Sequence, residues 1–275
     1  MTGSSIRPEK EFRDVPQQLR LTHEMLNKVP EVTFIFWVIK IMSTTVGETG
    51  ADYLAVHVGL GVAATDLLMA TLLFLALSLQ LRARRYMPWI YWVTVVLVSI
   101  VGTQITDFLT DKLEISLYVS TSAFAVVLAA IFATWYAVER TLSIHTIITK
   151  RRELFYWAAI LFTFALGTAA GDLATEALGL GFDAGVIAFG SLIAVIGAAY
   201  ALNGNAVLTF WLAYILTRPL GASLGDLLSQ ARDYGGLGLG TIYTSLAFLT
   251  VIVALVARLT FEGDRSRKAE ALTSD

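Results

Sequence analysis

The chain has 275 residues, 56% of them hydrophobic, and only 15% charged against about 25% in an ordinary soluble domain. A mean hydropathy of +0.68 puts it in the membrane class, and a formal net charge of −2 with no basic, aromatic-interleaved patch argues against nucleic-acid binding. Cysteine is absent, which removes disulfides, thiolate catalysis and thiolate metal sites. The three histidines (His23, His57 and His145) are too scattered for a soft-metal site.

Residues 1–28 are polar, with Arg7, Lys10, Arg13, Arg20 and Lys28. They lack the apolar core and cleavage site of a signal peptide, so a cytoplasmic segment is expected. Eight apolar stretches of membrane-spanning length follow, at about 31–56, 59–81, 87–110, 115–139, 153–177, 182–202, 205–229 and 237–261. The expected fold is an all-α integral membrane protein: an eight-helix transmembrane domain over 29–262 and a disordered tail over 263–275. Arg82, Arg84 and Arg85 follow the second span, and Arg140, Lys150, Arg151 and Arg152 follow the fourth. Both termini are therefore expected on the cytoplasmic side, in a bacterial inner membrane. Trp37, Trp89, Trp92, Trp135, Trp157 and Trp211 lie near that side and read as an interfacial belt. The segment around His145 reads as a short surface helix.

Four segments align without gaps: FWVIKIMSTTVGETGADYL (36–54), YWVTVVLVSIVGTQITDFL (91–109), YWAAILFTFALGTAAGDLA (156–174) and FWLAYILTRPLGASLGDLL (210–228). Each carries Trp (Trp37, Trp92, Trp157, Trp211). Ten positions on comes Gly (Gly47, Gly102, Gly167, Gly221), and fifteen on comes Asp (Asp52, Asp107, Asp172, Asp226). The chain thus holds four two-span repeats, about 31–82, 86–140, 152–203 and 205–261, grouped in two halves. Two spans per repeat make the copies parallel, with pseudo-symmetry expected about the membrane normal. The Gly and the small residue four later share a face, the pattern that lets membrane helices approach closely.

A carboxylate at membrane depth is costly unless paired, hydrated or bound to a cation. The four aspartates lie about 22 Å along the helix from the tryptophans at 1.5 Å per residue, toward the outer side. Glu48 shares a face with Asp52. Asp66, Asp111, Glu176 and Asp183 add acids at that level, and Thr45, Thr103 and Gln104 add neutral oxygens. Oxygen-rich, sulfur-free sets suit Mn²⁺, Mg²⁺ or Ca²⁺, and crowded carboxylates also suit protons. Glu48, Asp52, Asp107, Asp172 and Asp226 are thus the candidate metal ligands. Lys40 is expected to snorkel to the inner face, and Arg218 to pair with an acid in a structural or gating role, next to a Pro219 that breaks or kinks its span. The glycine-dense segments after each acidic motif (58–62, 178–182, 234–240) lack the ending of a phosphate loop and read as tight turns.

At GETGAD and LGTAAGDLATE the chain resembles a bacterial family of uncharacterised membrane-anchored proteins, over the whole transmembrane region. That resemblance implies no catalytic assignment. It is more distantly similar to the Glu-x-Gly-Asp exporters of Mn²⁺ and Ca²⁺. Gly171–Asp172 and Gly225–Asp226 match that motif, but the Glu two before each Gly is missing and no Lys/Arg-Ser/Thr follows. The likeness implies only an analogy about acidic cation sites.

The expected function is secondary transport, as an exporter, of a hard divalent cation such as Mn²⁺ over a ring of carboxylates in exchange for protons. The alternatives are proton-coupled transport of a small organic solute, with Arg218 or Lys40 holding an anionic group, or a non-transporting scaffold or sensor. No nucleophile and base occur together, so no enzyme is expected. Nor is a permanent cofactor; the partners are the lipid bilayer, the cation and protons, with a homo-oligomer left open.

Overall fold

The computed structural model describes residues 27–52 and 61–273, with the side chains at 48, 50–52, 176 and 266–273 outside the description. The described residues form eight long helices: α1 (Phe34–Asp52), α2 (Val62–Arg82), α3 (Pro88–Asp107), α4 (Leu117–Glu139), α5 (Lys150–Asp172), α6 (Phe182–Ala201), α7 (Ala206–Ser229) and α8 (Thr241–Thr273). Local chemistry fixes their starts. Pro88 opens α3 where an amide hydrogen would be unsatisfied. Ser116, Thr149 and Asn205 accept backbone N–H bonds at the starts of α4, α5 and α7. Gly61, Gly181 and Gly240, at φ between 76° and 82°, precede α2, α6 and α8; the glycine-dense segments 178–182 and 234–240 turn the chain, while 58–60 lies outside the described residues.

Seven of these helices are long and apolar enough to cross a bilayer; α1 contributes a shorter apolar stretch, Phe34–Gly47. The odd helices form the inside. In α5 and α7, 61% of the apolar window is buried, against 11% in α6 and α8, whose leucines and valines face outward.

The inner helices close into a ring, α1–α3–α5–α7–α1, and each outer helix packs on the inner helix of the following repeat: α2 on α3, α4 on α5, α6 on α7, and α8 on α1. The repeated glycines make the ring. A Cβ at Gly47 would lie 2.7 Å from Ser99 Cβ, one at Gly102 2.7 Å from Phe164 Cβ, one at Gly167 2.5 Å from Arg218 Cβ, and one at Gly221 2.8 Å from Thr44 Cβ. Thr44, Ser99, Phe164 and Arg218 hold one register position, three before each Gly, so the same contact is made four times around a closed cycle. In the three repeats where its side chain is described, the small residue four later follows the rule. Gly225 lies against Thr45, Gly171 against Pro219, and Thr106 donates to the Ala165 carbonyl at 3.1 Å.

Four expectations change. The tryptophans are not an interfacial belt: Trp92, Trp135, Trp157 and Trp211 are buried, and Trp89 alone of the six is strongly exposed. They are buried because each repeat's aromatic pair packs on the next. Phe36 lies 5.5 Å from Trp92, Tyr91 5.6 Å from Trp157, Tyr156 6.2 Å from Trp211 and Phe210 5.7 Å from Trp37. Pro219 does not end α7, which runs on to Ser229, because only one backbone bond is lost and Gly167 leaves room for the proline ring. The His145 segment holds only the 3₁₀ turn Ile144–Thr146. The last helix runs through most of the segment expected to be a disordered tail; Arg258 and Glu262, one turn apart, pair at 2.8 Å before it.

Candidate functional site: a buried polar axis

Stacked layers of four residues, one per repeat, fill the ring from its tryptophan end. Phe36, Tyr91, Tyr156 and Phe210 form the first layer, all at 8% exposure or less. The hydroxyls of Tyr91 and Tyr156 share a 2.6 Å hydrogen bond within it. Lys40, Val95, Ile160 and Tyr214 form the second; Thr44, Ser99, Phe164 and Arg218 the third. Thr103, Thr168 and Ala222 belong to the fourth, whose remaining register position is Glu48, a side chain outside the description.

Two cations sit in this interior, each about 1% exposed or less. Arg218 donates through Nε to Thr168 Oγ1 at 3.0 Å and through Nη2 to Thr103 Oγ1. Lys40 does not snorkel. It is fully buried, with Nζ 3.9 Å from the Phe164 ring centre and 4.3 Å from that of Tyr214, and a 3.5 Å contact to Thr44 Oγ1. Its helix turns that face toward the axis, and the aromatic residues of α5 and α7 hold it there.

The threonine protons are already spent. Thr44 donates to the Lys40 carbonyl at 2.9 Å, Thr103 to that of Ser99 at 3.1 Å and Thr168 to that of Phe164 at 3.0 Å. They therefore serve the cations as acceptors. Ser99 Oγ and Tyr214 Oη, both buried, have no hydrogen-bond partner among the described residues.

The acids lie differently. Asp107, Asp172 and Asp226 are half-buried, and each is engaged in an interaction. Asp107 and Asp172 are the last α-helical residues of α3 and α5, and a π turn follows each: Phe108–Lys112 and Leu173–Ala177. The side chains of Glu48, Asp52 and Glu176 lie outside the description. Asp111 is exposed and accepts from Thr110 at 3.1 Å; Asp183 is exposed and accepts from the Ala184 amide at 2.8 Å. Asp66 and Gln104 are half-buried, and Thr45 donates to the Gly221 carbonyl at 2.8 Å. Among the described residues no three acids or histidines come together as metal ligands.

Two features had no signal in the pattern of the repeats. A cleft of about 960 Å³ opens at the tryptophan end, lined in part by Phe36, Trp37, Trp92, Phe210 and His145, and so ends on the first aromatic layer. Beside it Lys28 pairs with the buried Glu153 at 2.6 Å, and Gln80 donates to the same carboxylate at 3.3 Å. Glu153 is unique to the third repeat, so no internal comparison singles it out.

Searches of curated proteins and of solved structures return no significant match. A family described as Repeat of Unknown Function (DUF347) matches four times, at residues 35–86, 90–141, 155–204 and 209–263, each match covering one inner helix and the outer helix that follows. With most of its length matched in this way, the chain belongs to that repeat family and carries four copies of its unit.

Proposed function

We propose that this chain is a multi-pass transport protein of the bacterial inner membrane that moves a small solute along the axis of its inner ring. In this reading the ring axis runs along the membrane normal, both termini are cytoplasmic, and the cleft at the tryptophan end is the cytoplasmic vestibule. The aromatic layer beneath the cleft is the gate, and Lys40, Tyr214 and Arg218 lie behind it.

The single observation that carries the reading is the burial of Lys40 and Arg218 inside the ring. A charged side chain at membrane depth costs about 2.5–3.5 kcal/mol even by the mildest scales. Glycine packing alone already closes the ring at the equivalent Gly102–Phe164 contact without any charge. Cations kept at such cost mark a solute path by default. The test is flux into liposomes holding the purified protein, across a panel of labelled organic acids, amino acids and divalent cations. Flux of one solute, abolished by Lys40→Met and Arg218→Met, supports the reading. Flux unchanged by both substitutions sinks it.

The divalent-cation reading draws on the half-burial of Asp107, Asp172 and Asp226 at one register position. In that case Mn²⁺ flux is lost with Asp107→Asn and Asp172→Asn and survives Lys40→Met.

A further inference from the structure

Helices α6 and α7 part toward the tryptophan end. A Cβ at Gly185 of α6 would lie 2.8 Å from Ser223 Oγ of α7, and one at Gly190 3.9 Å from Leu220 Cδ1. One at Gly197, on the same face as Gly190, would meet nothing within 4 Å. Gly197 lines the cleft of about 960 Å³ together with Ile193, Ile196 and Tyr200, a single stripe of α6 at helical spacing. Ala206 and Ala213 of α7 and Leu259 of α8 line it too. Because α6 packs on α7 and α8 on α1, the cleft lies between two outer helices and adjoins their outward apolar faces. Its inner end is the buried set Phe36, Trp92 and Phe210. Asn27, Glu31, Thr33, Ser143 and His145 also line it, and all five lie in the segments that precede α1 or join α4 to α5.

We infer that this cleft is a binding site for one zwitterionic phospholipid of the cytoplasmic leaflet. An acyl chain enters between α6 and α8 and lies along the Ile193–Tyr200 stripe against Phe36 and Phe210, and an ammonium head group meets Glu31. The inference rests on the orientation read above, with the tryptophan end at the cytoplasmic side, and is independent of solute transport. Three observations carry it. The volume suits a ligand rather than a packing fault. The polar residues gather in the connecting segments and the apolar ones along the helices, which is the division an amphiphile needs. The charge selects the head group: Glu31 is the acid in the lining, neither Lys nor Arg lines it among the described residues, and the adjacent Lys28 is engaged with Glu153. An anionic head group or a free fatty acid would find no counter-charge there.

The test uses the full chain in liposomes of phosphatidylethanolamine and phosphatidylglycerol, doped with phosphatidylethanolamine that carries a diazirine in one acyl chain. After illumination, peptide mass spectrometry maps the labelled positions. The outward-facing α4 reports ordinary lipid contact. Residues 193–200 and 206–213 should be labelled about threefold or more above α4. Gly197→Trp, which fills the open space, should bring 206–213 down to the α4 level and leave α4 unchanged; Gly197→Leu should lower it too and serves if the tryptophan variant does not fold. Glu31→Gln should reduce the preference for this probe over a phosphatidylglycerol probe with the same chain by about threefold. Labelling of 206–213 no greater than that of α4, labelling unchanged by both Gly197 variants, or equal labelling by the phosphatidylglycerol probe or a diazirine fatty acid would each overturn the inference. Label on α4 alone removes the lipid site and leaves the membrane and transport reading intact. No label on α4 either removes the membrane reading and the site with it.

Discussion

Gly221 of the fourth repeat packs against Thr44 of the first, and a Cβ on it would fall 2.8 Å from the Thr44 Cβ and 3.0 Å from the Ile41 carbonyl oxygen. This contact closes the ring, because it joins the last inner helix to the first. Gly221→Ala is expected to destabilise the protein by about 1–3 kcal/mol, the usual cost of overpacking a tight interior. Gly197, with nothing within 4 Å of its Cβ position, is the control, and Gly197→Ala should be neutral or slightly stabilising. Thermal unfolding of both variants in detergent measures the difference. Equal midpoints for the two would remove the glycine contacts as the basis of the ring.

Tyr91 and Tyr156 satisfy each other across adjacent repeats. Tyr91→Phe should cost about 1–3 kcal/mol, because it leaves the Tyr156 hydroxyl buried and unmatched. The double Tyr→Phe variant should recover most of that loss. A double-mutant cycle on unfolding midpoints reads the coupling, and additive losses would contradict the pairing.

Lys28, Gln80 and Glu153 tie the segment before α1, the end of α2 and the start of α5 together across the two halves of the chain. Glu153→Leu alone strands the buried Lys28 and should cost about 3–5 kcal/mol, whereas Lys28→Met with Glu153→Leu should be far milder. Unfolding midpoints check this, and limited proteolysis near residue 28 should rise in the single variant only.

The sequence made the repeat register plain because Trp, Gly and Asp recur at fixed spacing, and the glycines do the packing their spacing implied. The order and closure of the ring were not legible. Each glycine is met by Thr44, Ser99, Phe164 or Arg218, which share no chemistry and so form no motif. Lys40 was misjudged because a helix alone does not say which face meets neighbours; here the rings of Phe164 and Tyr214, far along the chain, decide it. Asp111, one acid of the expected second tier, does not share the face of Asp107. The i, i+4 rule assumes an α-helix, and the π turn after Asp107 shifts the phase, so Asp111 faces outward.

The central claim is that the ring axis is a solute path, and the natural absence of cysteine allows a direct measurement. Single cysteines at Thr103 and Thr168 on the axis, and at Val126 on the exposed face of α4, are treated in native membranes with a water-soluble thiol reagent. The axis positions should react, more slowly when transported solute is present, and Cys at Val126 should stay unlabelled in lipid. Unreactive axis positions under every condition, alongside a folded protein, would contradict the account.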